Sequence, residues 1–144
     1  MKYDLVGIGN ALVDIEVCVD DKFIKQNSLI KGGMTLSNEE EQKIFLKKLD
    51  GRTTKISSGG SAANTIHGLS VLSGQTYYLG RVANDLYGQH YTDDMQACGV
   101  GFPGTGKSSN ATGTCVILVS PDSERTMLTH LGVSSLLNPN DIDE

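Results

Sequence analysis

Two adjacent glycines followed by a serine and an asparagine form the stretch of this sequence best suited to bind a ligand. The stretch reads Ser57-Ser58-Gly59-Gly60-Ser61-Ala62-Ala63-Asn64 and joins a predicted strand to a predicted helix. Glycine permits positive backbone angles and lets a ligand approach the main chain, and Ser61 is placed to cap the helix. The free amides at the helix start would then point at an oxygen-rich group. An ordinary strand-to-helix loop, with glycines for close packing, explains this stretch alone equally well.

Three further side chains could take part in chemistry. Asn64 lies one turn into the predicted helix, and its amide can both donate to and accept from a pair of hydroxyl groups. Asp14 stands at the junction of two predicted strands, where a carboxylate either faces a ligand or is a solvated turn residue. His67 has no cysteine, serine or carboxylate partner evident in the sequence, so we interpret it as a surface or packed histidine.

A phosphate-loop pattern, GxxxxGK[ST], is matched by Gly101-Phe102-Pro103-Gly104-Thr105-Gly106-Lys107-Ser108. Such a loop needs a helix behind it, because the helix start supplies the amides that hold the phosphates. Here a glycine and two threonines follow, and then a predicted strand. A nucleotide hydrolase is therefore the weakest of the functional alternatives.

The short NxxE pattern Asn38-Glu39-Glu40-Glu41 lies in the first turn of a predicted helix, so we interpret it as a solvated face.

The elements that must position these residues alternate between strand and helix, which predicts parallel βαβ units and a right-handed crossover. A hairpin is predicted near the C-terminal end because two extended runs flank the turn Pro121-Asp122-Ser123. Ser37 and Glu40 have capping-box spacing. The predicted strands are 3–9 (buried), 14–19, 53–57, 75–79, 111–120 and 125–131, and the predicted helices are 20–26, 37–49, 62–73 and one from a cap at Asn84 or Asp85 to about residue 97.

Composition narrows the class of protein. The 144 residues include 38% hydrophobic residues and 17 glycines, which favours one loop-rich α/β domain with a real core. A formal charge of -5 argues against a nucleic-acid or anionic-membrane surface, so a small molecule or a protein is the expected partner. The cysteines at 18, 98 and 115 show no metal or disulfide spacing, and we interpret them as reduced core thiols of a cytoplasmic protein. No leader or membrane-spanning stretch is evident.

Four ordered pieces of the sequence resemble the ribokinase-like, or PfkB-type, carbohydrate and nucleoside kinases, and more closely their adenosine-kinase-like branch. The pieces are Gly7-Ile8-Gly9-Asn10-Ala11-Leu12-Val13-Asp14, Gly59-Gly60-Ser61-Ala62-Ala63-Asn64, Gly80-Arg81-Val82-Ala83-Asn84-Asp85-Leu86-Tyr87-Gly88, and Thr112-Gly113-Thr114-Cys115 with Glu124-Arg125-Thr126-Met127. Their order and spacing are similar to the N-terminal part of that family over essentially the whole chain. Ala83 departs from the glycine that many members have.

The resemblance implies a three-layer α/β fold with a parallel central sheet and a small β-lid, here incomplete, with lid strands at approximately 14–36 and 100–131. It implies that Asp14, Gly59, Gly60 and Asn64, with Asn10 as a weaker candidate, bind the hydroxyls of a sugar or nucleoside. The family's catalytic aspartate and its sites for ATP and Mg²⁺ have no counterpart in these residues, so we predict no catalytic residue and no kinase activity in this chain alone. The alternative from another class is a non-catalytic sugar-binding or dimerising module that uses the lid strands as the interface of a homodimer.

Overall fold

The computed structural model describes residues 2–103 and 110–142, and the chain divides into two compact units. Unit 1 consists of Met1–Val13, Ser57–Gly113 and Gly132–Glu144. Unit 2 consists of Asp14–Ile56 and Thr114–Leu131. The lid ranges 14–36 and 100–131 stay a prediction.

Strands and helices alternate along most of the chain, as the sequence predicts. Within the described ranges, no helix has the length and apolar character needed to cross a membrane. Two short 3-10 helices follow the last strand, at Gly132–Leu136 and Pro139–Asp141. The strands are β1 (Leu5–Ile8), β2 (Leu12–Cys18), β3 (Met34–Leu36), β4 (Thr54–Gly59), β5 (Thr76–Leu79), β6 (Gly113–Val119) and β7 (Arg125–His130), and the helices are α1 (Asp21–Gln26), α2 (Glu39–Lys47), α3 (Ser61–Val71) and α4 (Leu86–Ala97).

Unit 1 contains the parallel pair that the strand–helix–strand order predicts. β1 and β5 pair in parallel, with Leu5 opposite Thr76 and Ile8 opposite Leu79. Helix α3 packs on β1 at Gly7, where an added Cβ would lie only 2.5 Å from Ile66 Cγ1. Because glycine has no side chain, the helix and the strand approach closely here. This packing places the N-terminal end of α3 beside the residues that follow β1.

Aromatic side chains dominate the core of unit 1. The ring centroids of Tyr91 and Phe102 are 5.4 Å apart, and those of Tyr78 and Phe102 are 6.0 Å apart. Burial raises the pKa of Tyr78 to about 12. The buried members of this core are Ala11, Val13, Ala63, Ile66, Tyr78, Val82, Tyr91, Met95, Val100 and Phe102.

The prediction that the first strand is buried is wrong. Leu5, Val6 and Ile8 of β1 are 38%, 53% and 57% exposed. An apolar run indicates that a strand is suited to burial, but burial also needs neighbouring elements on its faces and edges. In the described chain β1 pairs with β5.

Unit 2 carries a five-stranded sheet with the strand order β3-β7-β6-β2-β4, although the first two residues of β2 and the last three of β4 belong to unit 1. β6 and β7 form the predicted antiparallel hairpin, with Cys115 opposite Thr129. The predicted alternation along the second strand is confirmed, since Val13, Ile15 and Val17 are buried while the residues between them are not. One face of this strand is therefore covered.

The N-cap of helix α2 lies one residue later than predicted. Asn38 is the N-cap, its Oδ1 accepts from the Glu41 amide at 2.8 Å, and Glu41 Oε2 accepts from the Asn38 amide at 2.9 Å. The predicted capping box of Ser37 and Glu40 is thus wrong by one position, because asparagine caps a helix as well as serine does. The structure confirms that the NxxE pattern is a solvated helix start, since Asn38 and Glu41 are both exposed.

The interpretation of all three cysteines as core thiols is wrong. Cys115 is buried, Cys98 is half-buried and Cys18 is exposed, and all three are free. Burial raises the pKa of the Cys115 thiol. The spacing of the cysteines argues against disulfides and a metal site, but it does not indicate how deeply each thiol is buried.

Candidate functional site

The glycine turn joins β4 to α3 in unit 1, as the sequence predicts. β4 ends at Gly59, and Gly60 precedes the helix with a φ of 105°. An added Cβ on Gly60 would lie 2.5 Å from the backbone oxygen of Asn10. Only glycine fits this position without strain, because both the backbone angle and the close approach exclude a side chain. The turn and Asn10 are therefore adjacent.

The predicted cap by Ser61 is wrong. Ser61 is the first residue of α3, the N-cap residue is Gly60, and no side-chain hydrogen bond caps the helix there. The Ser61 carbonyl instead accepts from Thr65 Oγ1 at 3.2 Å. A helix start without a side-chain cap leaves its first amides for water or a ligand. Asn64 lies one turn further on and is exposed.

Helix α4 anchors the glycine turn through two side chains one turn apart. Tyr91 Oη donates to the Gly59 carbonyl at 3.2 Å, and Asp94 Oδ2 accepts from the Ser58 amide at 3.3 Å. Residues three apart share one helix face, so both contacts come from the same side of α4. These two hydrogen bonds hold the last two residues of β4, one at its amide and the other at its carbonyl. Gly60 follows them directly before the start of α3.

Asp85 fixes the other end of α4. Its Oδ1 accepts from the Gly88 amide at 2.8 Å and from Thr112 Oγ1 at 2.7 Å, and its Oδ2 accepts from the Thr112 amide at 2.9 Å. Burial raises the pKa of the Asp85 carboxyl, but the hydrogen bonds from Thr112 and Gly88 together lower it below its ordinary value. Thr112 Oγ1 also accepts from the Ala83 amide at 2.9 Å. The third and fourth sequence motifs therefore meet at Asp85.

A cavity of about 260 Å³ lies beside the turn in unit 1. Ser58 Oγ is buried and has no hydrogen-bond partner in the described part of the chain. An orphan hydroxyl in a polar cavity is suited to a water molecule or a small polar ligand. The lining residues are Ser57, Ser58, Ala63, Asn64, His67, Asp94 and Met95.

Asp14 belongs to unit 2, where it lies half-buried on β2. Burial raises the pKa of the Asp14 carboxyl, the Arg125 guanidinium lowers it, and Glu16 raises it. Arg125 also pairs with Glu16, with Nη2 and Oε2 separated by 3.7 Å. A partly desolvated carboxylate is a strong acceptor for hydroxyl groups.

The predicted site residues thus fall into two groups. Asn10, Gly59, Gly60 and Asn64 all belong to unit 1, and Gly60 lies against Asn10. Asp14 is in unit 2, and its part in a shared site stays a prediction. Tyr91 and Asp94 were missed by sequence reasoning, because nothing in the local pattern of α4 links them to a turn more than thirty residues earlier.

The phosphate-loop pattern falls mostly outside the described residues, which exclude 104–109 and so Lys107. Residues 110–112 are not helical, and β6 begins at Gly113. This agrees with the prediction that no helix stands directly behind the pattern. In the ranges 2–103 and 110–142, no group of three or more His, Cys, Asp or Glu side chains is arranged to hold a metal ion.

Comparison with known proteins shows one consistent likeness. A family model described as pfkB family carbohydrate kinase matches residues 34–143. The solved adenosine kinase from Sinorhizobium meliloti is 38% identical with a TM-score of 0.91, and the match covers 99% of this chain and 43% of that one. A probable sugar kinase protein from Rhizobium etli CFN 42 is 34% identical with a TM-score of 0.90, covering 98% and 42%.

A curated relative agrees with these structures. Adenosine kinase from Saccharomyces cerevisiae is 27% identical over 150 residues, which cover 100% of this chain and 44% of that protein. The chain therefore spans less than half the length of the relatives that it matches. The likenesses confirm the predicted fold class, an incomplete ribokinase-like α/β fold.

Proposed function

This chain belongs to the pfkB family of carbohydrate kinases, and from this premise we propose that the protein containing it is an ATP-dependent kinase. Its acceptor is the hydroxymethyl group of a ribonucleoside, with adenosine as the first compound to test. The observation that carries the proposal is the likeness to an adenosine kinase along almost the whole chain. The cytoplasmic location expected from the cysteine pattern stays a prediction.

The glycine turn supports binding of a neutral, hydroxyl-rich acceptor. Amides at the start of α3 have no side-chain cap, and Asn64 offers a donor and an acceptor one turn further on. Gly59 and Gly60 have no side chains that would keep a ligand away from the main chain, and Asn10 flanks the turn at Gly60. Asp14 would accept from a vicinal pair of ribose hydroxyls. In this role these residues orient the acceptor, while the transferred group comes from elsewhere.

ATP supplies the phosphoryl group and Mg²⁺ neutralises its charge in kinases of this kind. The described residues do not fit that role, because they hold no carboxylate cluster suited to a metal and no helix directly behind the GxxxxGK[ST] pattern. We therefore assign the ATP and Mg²⁺ sites to none of the described residues. Binding and orientation of the acceptor are what this chain contributes.

The test is a pair of substitutions on one strand of a full-length protein that contains the chain. Asp14→Asn removes the negative charge and one of the two acceptor oxygens that the proposal assigns to the hydroxyl pair, and it should lower kcat/KM for adenosine by about 10-fold or more, the loss expected when hydrogen bonds to a charged group are weakened. Glu16→Gln, two residues further along the same face of β2, is the matched control and should change kcat/KM by less than about threefold. Steady-state kinetics with adenosine, ribose and fructose also tests the acceptor class.

Equal effects of the two substitutions would show that Asp14 does not bind the acceptor. A preference for ribose or fructose over adenosine would move the protein from the nucleoside kinases to the sugar kinases within the same family. ATP-dependent phosphorylation of none of the three would contradict the proposed activity.

A second role, homodimer formation through the lid strands, is favoured by one observation in unit 2. β3 is the edge strand of the five-stranded sheet, and its Met34 and Leu36 are 57% and 60% exposed. An exposed apolar edge is suited to pairing with a second copy. Sedimentation velocity should then detect a dimer that Met34→Glu dissociates, and a monomeric wild-type protein would contradict this role.

A further inference from the structure

His67, interpreted from the sequence as a surface or packed histidine, is half-buried and contacts a cysteine from another helix. His67 Nε2 and Cys98 Sγ are 2.9 Å apart, within hydrogen-bond distance. His67 lies on α3, and Cys98 is the C-cap residue of α4, 31 residues further along the chain. With Nε2 unprotonated, the imidazole can accept the thiol proton and then stabilise the thiolate by its positive charge.

A side chain of α3 and the turn that follows α4 hold Cys98 in this position. Ser70, three residues after His67 on the same face of α3, donates from its hydroxyl to the Cys98 carbonyl at 2.6 Å. Gly99 ends the helix with a φ of 81°, and a Cβ added there would lie 3.3 Å from Ser70 Oγ. α3 therefore contacts Cys98 at both its thiol and its carbonyl, so the approach to His67 is built into the packing of the two helices.

Both side chains of this pair are only partly buried. Cys98 is half-buried, and His67 lines the polar cavity beside the glycine turn. The titratable groups that line the cavity are His67 and Asp94, and Asp94 lies one turn before Cys98 on α4.

We propose that Cys98, activated by His67, is a modification site for small soft electrophiles, with hydrogen peroxide as the simplest. The Cys98 thiolate attacks one peroxide oxygen, an S–O bond forms and the O–O bond breaks. The departing hydroxide takes the proton from the His67 imidazolium, so the products are a cysteine sulfenic acid, water and neutral imidazole. The sulfur is oxidised by two electrons and the peroxide is reduced by two. This proposal does not depend on the acceptor or on kinase activity.

The chain contains its own reference thiols. Cys18 is exposed, and Cys115 is buried with its hydroxyl neighbour Thr129 at 3.3 Å. If access alone decides reactivity, Cys18 reacts fastest. If His67 activates the thiol, half-buried Cys98 reacts faster than exposed Cys18 near neutral and mildly acidic pH, where an unassisted thiol is mostly protonated.

The experiment measures alkylation of each cysteine in the purified protein by iodoacetamide, with peptide mass spectrometry, from pH 6 to pH 9. At about pH 6.5, Cys98 should react at least about fivefold faster than Cys18, because the thiolate is the reacting species. His67→Gln should slow Cys98 at least about fivefold at this pH and leave Cys18 unchanged. The matched control is His90→Gln on α4, which should leave both rates unchanged. Peroxide followed by dimedone should label Cys98 before Cys18.

Two results would overturn the proposal. One is a wild-type Cys98 that reacts no faster than Cys18 at about pH 6.5, a comparison that needs no variant. The other is a folded His67→Gln protein, verified by circular dichroism, in which the Cys98 rate equals that of the wild type. An equal loss of Cys98 reactivity in His90→Gln would also contradict a specific role of His67.

Discussion

β6 in unit 2 and β1 in unit 1 are both rich in Val, Ile and Leu, yet their burial is opposite. In β6, Val116 and Leu118 are 0% exposed, and the strand lies between β7 and β2 in its sheet. In β1, Val6 is 53% exposed and Ile8 is 57% exposed. The same residue types are buried in one strand and exposed in the other because burial depends on the neighbours of a strand as well as on its composition.

The units also differ in what holds them together. The centre of unit 2 is an apolar hairpin strand, with one buried amide, Gln42, donating to Thr114 Oγ1 and to the Leu128 carbonyl, each at 3.2 Å. Unit 1 has an aromatic core, but its loops are tied by the side chains of Asp85, Tyr91 and Asp94. Unit 1 therefore combines an exposed strand with turns positioned by polar anchors, which is the arrangement expected where ligands bind.

The largest expected effect tests the strand comparison directly. Val116→Asp places a carboxylate at a fully buried position of β6 and should lower the free energy of unfolding of the 144-residue chain by about 3–5 kcal/mol, or prevent folding. Val6→Asp on β1 should cost less than about 1 kcal/mol, since the side chain is already half exposed to water. Urea unfolding followed by circular dichroism measures both. Equal costs would mean that the two strands are buried alike in solution.

The next effect tests how strictly the glycine turn of unit 1 is constrained. Gly60→Ala should destabilise the protein by about 1–3 kcal/mol, because its φ of 105° is strained for alanine and the new Cβ would meet the Asn10 oxygen. Gly68→Ala in α3 is the matched control, since nothing lies within 4 Å of its Cβ position. There alanine should stabilise by about 0.5–1 kcal/mol, because it favours the helix more than glycine does. Thermal melts of both variants give the comparison, and a harmless Gly60→Ala would contradict the turn geometry.

The smallest expected effect is a pH dependence that separates the polar anchors of unit 1 from the apolar strand of unit 2. The folded-state pKa of Asp85 lies below its ordinary value, so the ionised carboxylate stabilises the fold above about pH 4. This contribution is lost as the pH falls through the folded pKa. Asp85→Asn should lower Tm at pH 7 and should reduce the fall in Tm between pH 5 and pH 3. Melting curves at several pH values measure this.

A matched residue is available for the acid test. Asp93, also on α4, accepts a hydrogen bond from the exposed Gln89 side chain at 2.7 Å. Asp93→Asn should therefore leave the pH profile of Tm close to that of the wild type. A profile that is unchanged in Asp85→Asn would show that the link between Asp85 and Thr112 does not stabilise unit 1.

Local sequence signals predicted the glycine turn, the β6–β7 hairpin and the helices well, because each depends on residues close together in the chain. The α2 cap was wrong by one residue, since Ser37 and Asn38 are both good caps and only the surrounding packing selects between them. The exposure of Val6 and the depth of each cysteine depend on distant elements, which local patterns do not report.

The candidate site shows the same limit. Gly59, Gly60 and Asn64 were found because glycine pairs and an asparagine at a helix start are visible in the sequence. Asp94 binds Ser58, 36 residues away, and Cys98 binds His67, 31 residues away. Neither partner carries a spacing pattern, so only the folded structure identifies them. The resemblance to the kinase family added Asp14 and Asn10, whose roles in acceptor binding stay predictions.

The divided sequence of unit 2 has a consequence for the protein as it is synthesised. Gln42 can form its hydrogen bond to the Leu128 carbonyl only after 86 more residues have been synthesised. At about 5–20 residues per second, the ribosome needs roughly 4 to 17 s for this. For most of that interval β2 and α2 have been synthesised while β6 and β7 have not. The apolar face of β2 then lacks β6 as a neighbour, and the time needed to translate residues 57–113, which belong to unit 1, lengthens this exposure.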